Sequence, residues 1–152
     1  RERLGRREAS PGRLRRTELM ASIHREVTIR VDPGAAWSAL RDVGALHTRL
    51  AVGFVTDVRM EPGARVVTFA NGAVARELIV AVDDAARRVA WAAVGGPMTH
   101  HNASAQIFAD GAGGTRFVWI ADLLPDEMAP HVAAMMDQGL AAIRRTLESG
   151  QP

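Results

Sequence analysis

Residues 99–150 read THHNASAQIFADGAGGTRFVWIADLLPDEMAPHVAAMMDQGLAAIRRTLESG, and the change of rhythm inside them decides the fold. Up to Leu123 the apolar side chains keep a two-residue period. Two strands, Thr99–Ala109 and Thr115–Leu123, are expected on either side of the glycine-rich turn Asp110–Gly114. From Met128 the spacing changes. Val132, Met135, Met136, Leu140, Ile143 and Leu147 fall in three- and four-residue steps, which place them on one face of a helix of roughly six turns. Pro125, Asp126 and Glu127 suit its N-terminus, Arg144 and Arg145 its C-terminus, and Gly150 its end. A long one-faced helix that follows half-buried strands must lie on the apolar face of their sheet.

The remainder of the chain extends that sheet. Ile23–Val31 alternates, with Ile23, Val27, Ile29 and Val31 on one side, and predicts a half-buried strand. Asp32-Pro33 supplies an N-cap and a first-turn proline for a short helix that turns Ala36, Trp37 and Leu40 inward. A second short helical piece is expected at Ala45–Leu50. Strands follow at Phe54–Met60, Arg65–Ala70, Val74–Val82 and Arg88–Val94, punctuated by Pro62-Gly63, Asn71-Gly72, Asp83–Ala86 and Gly95-Gly96-Pro97. The short turns make the sheet antiparallel. No internal repeat and no second domain is evident.

The 152 residues suit one domain with one core, and 47% of them are hydrophobic. No apolar run is long enough to cross a bilayer, so no membrane insertion is expected. The start carries no signal-peptide core, which makes the cytoplasm the expected compartment. The pI of about 10.7 invites a nucleic-acid reading. The charge is uneven, however: residues 1–19 carry seven Arg and three Glu, while the rest is slightly acidic. Residues 1–20 therefore read as a disordered Arg-rich arm or a non-native extension, and residues 21–150 as the domain; no nucleic-acid partner is expected of the latter. Cysteine, lysine and tyrosine are all absent. Their absence excludes disulfides, thiolate nucleophiles, Schiff-base chemistry, a P-loop lysine and phenolic acids, and leaves Asp, Glu and His for proton transfer. The Arg-only, Ala-rich composition points to a bacterial genome of high GC content.

Several landmarks recur in a fixed order: Val31-Asp32-Pro33 with Trp37 after it, Glu77 six residues before Asp83-Asp84, Arg87-Arg88-Val89-Ala90-Trp91, Gly95-Gly96, Thr115 through Trp119, then the long helix. In this order and spacing the chain resembles the START-like (Bet v 1-like, SRPBCC) superfamily over about residues 22–149, and within it the polyketide cyclase/dehydrase and lipid-transport branch. The resemblance implies an α+β helix-grip fold. A curved antiparallel seven-stranded sheet would close around a long C-terminal helix, with two short helices after the first strand and a mostly apolar cavity between sheet and helix. It implies no single activity, because the superfamily includes cyclases, hydrolase-like enzymes, lipid carriers and hormone receptors.

Strand parity assigns side chains to that cavity. Glu77 shares a face with Ala75, Ile79 and Ala81. Trp91, then His101, Ala103 and Ala105, then Phe117 and Trp119 turn the same way. The helix offers Val132, Met135 and Met136, while Phe54 and Phe69 close one side and His47 stands near the entrance. The competing reading is a solid core. A carboxylate on so apolar a face must be paired, hydrogen-bonded or neutralised, so Glu77 is the most informative residue. It could hold a ligand hydroxyl or carbonyl, act as acid or base with His101, or simply pair with an arginine or with His101. Parity assigns no arginine inward. The resemblance links aromatase/cyclases to a cavity arginine and often a tyrosine, and plant hormone receptors to a cavity lysine. A polyketide cyclase and a strongly anionic ligand are therefore both disfavoured.

Two function classes follow. One is the binding or transport of a small hydrophobic molecule, such as a polyketide, an aromatic metabolite or a lipid. The other is a cyclase or dehydratase using Glu77 and His101. No cofactor and no metal is expected, since neighbours such as His100 and His101 point to opposite faces of a strand. Met135 and Met136 at helical spacing are more often core than a cofactor box, although Met is also an adaptable pocket lining. Edge strands of such folds can pair, which leaves a homodimer open.

Overall fold

The computed structural model describes residues 19–150; residues 1–18, most of the expected arm, lie outside that range. Seven strands are present: β1 (Ala21–Ile29), β2 (Val55–Glu61), β3 (Ala64–Phe69), β4 (Val74–Asp83), β5 (Arg88–Val94), β6 (His100–Ala109) and β7 (Thr115–Leu124). Between β1 and β2 lie helix α1 (Pro33–Arg41) and one wide turn, Leu46–Leu50, in which the Ala51 N–H donates to the Leu46 carbonyl at 2.8 Å. Helix α2 (Ala129–Ser149) closes the chain.

The strands form one antiparallel sheet in the order β1-β7-β6-β5-β4-β3-β2. Successive hairpins lay β2 through β7 side by side, and β1 then pairs with β7, so the first two strands in sequence occupy opposite edges. The segment between them must cross from edge to edge, and α1 with its following turn makes that crossing. Asp32 Oδ2 accepts the N–H groups of Gly34 (2.9 Å) and Ala35 (3.2 Å), which caps α1. The Trp37 indole N–H and the Arg41 guanidinium both donate to Asp84 Oδ1, at 3.0 and 2.9 Å, fastening α1 to the β4–β5 turn. The buried Thr115 hydroxyl donates to the Val31 carbonyl at 2.8 Å and holds the start of β7 to the entry of α1.

Helix α2 lies on the inner face. Its buried side, Val132, Met136, Leu140, Ile143 and Leu147, carries the periodicity read from the sequence. Arg25 Nε donates to Asp137 at 3.1 Å and the Arg30 N–H to Glu148 at 3.1 Å, tying the helix to β1. Thr146 Oγ1 accepts the Val52 N–H at 3.1 Å and ties it to the segment ahead of β2.

The inward assignment of Ala81 is corrected. The β4–β5 register shifts between Ile79 and Ala81: Ile79 lies opposite Trp91, whereas Ala81 lies opposite Ala90. A residue inserted at Val80 reverses the side on which later residues of the strand point, so Ala81 joins the outer face. The first strand also ends at Ile29, not Val31.

Asp32→Ala leaves two first-turn N–H groups without their side-chain acceptor. Urea unfolding is expected to show a loss of about 1 kcal/mol with unchanged m-value.

Candidate functional site

Between the sheet and α2 is a cavity in two parts. The outer chamber has a volume of about 280 Å³ and lies between β4–β6 and the first half of α2. The inner chamber is smaller, about 70 Å³, and reaches toward α1 and the Leu46–Leu50 turn. Phe54, Phe69, Glu77, Trp91 and Trp119 border both, and so form the neck. Phe54 and Phe69 meet edge-to-face with ring centroids 5.4 Å apart, and the Trp91 and Trp119 centroids are 6.3 Å apart. Small residues make the space. Ala75, Ala93 and Ala103 line the outer chamber, while Gly139 of α2 makes room for the neck rings, since a Cβ there would come within 2.8 Å of Trp119 and 3.1 Å of Phe54. Leu46 and Leu50, brought inward by the wide turn, wall the inner chamber.

The polar content of these walls is concentrated in one pair. Arg65 of β3 lies directly opposite Glu77 of β4 in the register, and its Nε donates to Glu77 Oε1 at 2.8 Å. Their side chains are only 3% and 10% exposed. A second guanidinium nitrogen of Arg65 donates to the Val43 carbonyl at 3.1 Å, and the guanidinium stands 5.3 Å from the Trp91 ring centroid. Among the described residues Glu77 Oε2 has no hydrogen-bond partner. Burial pushes the Glu77 carboxyl above the usual range, and Arg65 opposes that through its charge and its hydrogen bond. His101 lines the outer chamber, and its pKa is lowered first by burial and then by His100. The buried His101 Nδ1 and the Trp119 indole N–H have no partner among the described residues.

A model of the family described as polyketide cyclase/dehydrase and lipid transport matches residues 20–148. The chain belongs to this family. Its members bind hydrophobic ligands, and its fold is the Bet v 1-like helix-grip. A search of curated protein sequences returns no significant match. Solved structures share the fold at low identity. An uncharacterised protein from Bacillus thuringiensis is 14% identical with a TM-score of 0.75, the match covering 84% of this chain and 98% of that one. Norcoclaurine synthase from Thalictrum flavum, in complex with dopamine and hydroxybenzaldehyde, is 15% identical with a TM-score of 0.68, over 97% and 99%. The protein XoxI from Bacillus cereus is 15% identical with a TM-score of 0.73, over 84% and 95%.

The cavity gathers the residues that strand and helix parity pointed inward. Phe54, Phe69, Glu77, Trp91 and Trp119 form the neck, and Phe117 borders the inner chamber. His101, Ala103, Val132, Met135 and Met136 border the outer one. His47 is half-buried but lies outside the walls of both chambers. Glu77 pairs with Arg65 rather than His101. The reading that no arginine faces inward is thus corrected: Arg65, Val67 and Phe69 alternate onto the inner face of β3. The signal was present in that alternation, but Arg65 stands two residues after the Pro62-Gly63 turn, where an arginine usually reaches solvent.

Taking two charges out of water costs about as much as their attraction returns, whereas removing one partner strands the other. Arg65→Met and Glu77→Leu are each expected to lower unfolding free energy by about 3–5 kcal/mol. The double variant is expected to recover to within about 1 kcal/mol of the parent, or to exceed it. Urea unfolding of the four proteins makes the measurement; additive losses would contradict the account.

Proposed function

We propose that this protein binds a small, largely apolar molecule, of the size of an aromatic or polyketide metabolite or a lipid fragment, inside the two-part cavity and serves as its carrier. The observation that supports this reading is a cavity walled by aromatic, aliphatic and methionine side chains whose buried charge is confined to one self-neutralised pair, Arg65–Glu77. Burial of the ligand's own apolar surface against Trp91, Trp119 and Met136, at roughly 25 cal/mol per Å², would supply most of the affinity. Arg65, Glu77 and His101 would orient the polar end. Such a division, apolar walls with a few polar groups, is the usual design of a small-molecule site.

A second reading, a cyclase or dehydratase, is supported by Glu77 itself: a buried carboxyl with raised pKa and one oxygen unoccupied borders the same cavity as a neutral-leaning histidine. Glu77 would then take or give the proton and His101 would complete the transfer. The structure that carries dopamine and hydroxybenzaldehyde offers a precedent for aromatic ligands in this fold.

Native mass spectrometry of protein purified from its own host tests the first reading. A non-covalent adduct released on denaturation is expected, and its identification names the ligand class. A ligand-free mass, together with failure to displace an apolar dye, would count against a carrier. Offered the released molecule, a carrier leaves it unchanged. An enzyme converts it, and Glu77→Gln then lowers kcat by about 10²–10⁴-fold.

A further inference from the structure

We infer that the cavity selects an uncharged hydroxylated aromatic of one or two fused rings, whose O–H donates to Glu77 at the neck, and that it rejects carboxylates of the same shape. The inference rests on the proposed binding reading and deepens it. Size comes from the chambers. A dry apolar cavity of about 150 Å³ holds benzene, and the outer chamber here is about 280 Å³ with a further 70 Å³ beyond the neck. The polar group follows from what the walls lack. Glu77 Oε1 is taken by Arg65 Nε, whereas Oε2 accepts no hydrogen bond among the described residues, so the carboxylate is short of a donor. A hydroxyl is the smallest uncharged group that brings a donor to it. A ketone, an ether or a bare hydrocarbon ring offers no donor.

Charge decides against an anion. Among the described residues the two chambers are bordered by one guanidinium, Arg65, and one carboxylate, Glu77, and these neutralise one another at 2.8 Å. His101 and the exposed His131 at the mouth are the other titratable side chains on those walls. A ligand carboxylate would enter without a free cation and face Glu77, and an unpaired buried charge is strongly disfavoured. The specificity is therefore held by Glu77: with that negative charge gone, Arg65 becomes an anion receptor.

The test compares 2-naphthol, 2-methylnaphthalene and 2-naphthoate at pH 7 by calorimetry or dye displacement on the full chain. The methyl compound matches the naphthol in shape and lacks only the hydrogen bonds. The parent protein is expected to bind 2-naphthol about tenfold more tightly than 2-methylnaphthalene, the worth of one to two net hydrogen bonds, and 2-naphthoate most weakly. Glu77→Gln, which keeps an oxygen for Arg65 Nε, is expected to reverse the order and prefer 2-naphthoate. Equal binding of naphthol and methylnaphthalene would overturn the inference while leaving the cavity a binding site. Preference of the parent protein for 2-naphthoate would overturn it as well and make Arg65 the reader. Binding of none of the three would overturn both the inference and the reading beneath it. The order in the parent protein decides the matter even if Glu77→Gln does not fold.

Discussion

A single helix cannot cover a seven-stranded sheet. At about 4.8 Å between strands, six spacings make a sheet roughly 29 Å wide, whereas an α-helix with its side chains is about 10–12 Å across. The 21-residue α2 therefore has to be wrapped by the sheet rather than laid over it. The bulges between Val55 and Asp57 and between Ile79 and Ala81 add to the twist that wrapping requires. Wrapping alone would leave a core to be filled. Ala75, Ala93 and Ala103 stand where larger residues would fill it, Gly139 gives room to the Trp119 and Phe54 rings, and the outcome is a space bounded by large aromatic rings.

That space explains the placement of the buried ion pair. Arg65 and Glu77 face each other directly across the β3–β4 ladder, where two opposite charges can meet inside an antiparallel sheet. The pair adds little net stability, since desolvation offsets attraction. Its geometry instead leaves one carboxylate oxygen unoccupied beside an apolar chamber. The fold holds the pair in register through the β3–β4 hairpin, where the Ala73 N–H donates to Asn71 Oδ1 at 2.9 Å and Gly72 takes a φ of 87°, a backbone state open to glycine at little cost.

Much of this was legible from residue order. Alternation in β5, β6 and β7 set Trp91, His101, Ala103 and Trp119 on one face, and the three- and four-residue steps after Met128 set Val132, Met135 and Met136 against them. Glu77 stood out because a carboxylate in an apolar row needs a partner. The partner itself was not legible. Arg65 could be found only by joining the β3 alternation to the register of the hairpin, and register is a property of two strands together. Ala81 was misplaced because a bulge leaves no mark in the pattern of Val80 and its neighbours. The inner chamber was missed because Leu46 and Leu50 reach it through an i to i+5 turn, whose spacing fits neither the helical nor the strand period.

The central claim is that the space between sheet and α2 is open and apolar on both sides of the neck. Crystals held under xenon pressure test it most directly, because xenon enters apolar cavities and leaves packed cores empty. The account predicts xenon in the outer chamber against Trp91 and Met136, and in the inner chamber against Leu46 and Val67. Electron density with no xenon at either place, and side chains closed across the neck, would contradict it.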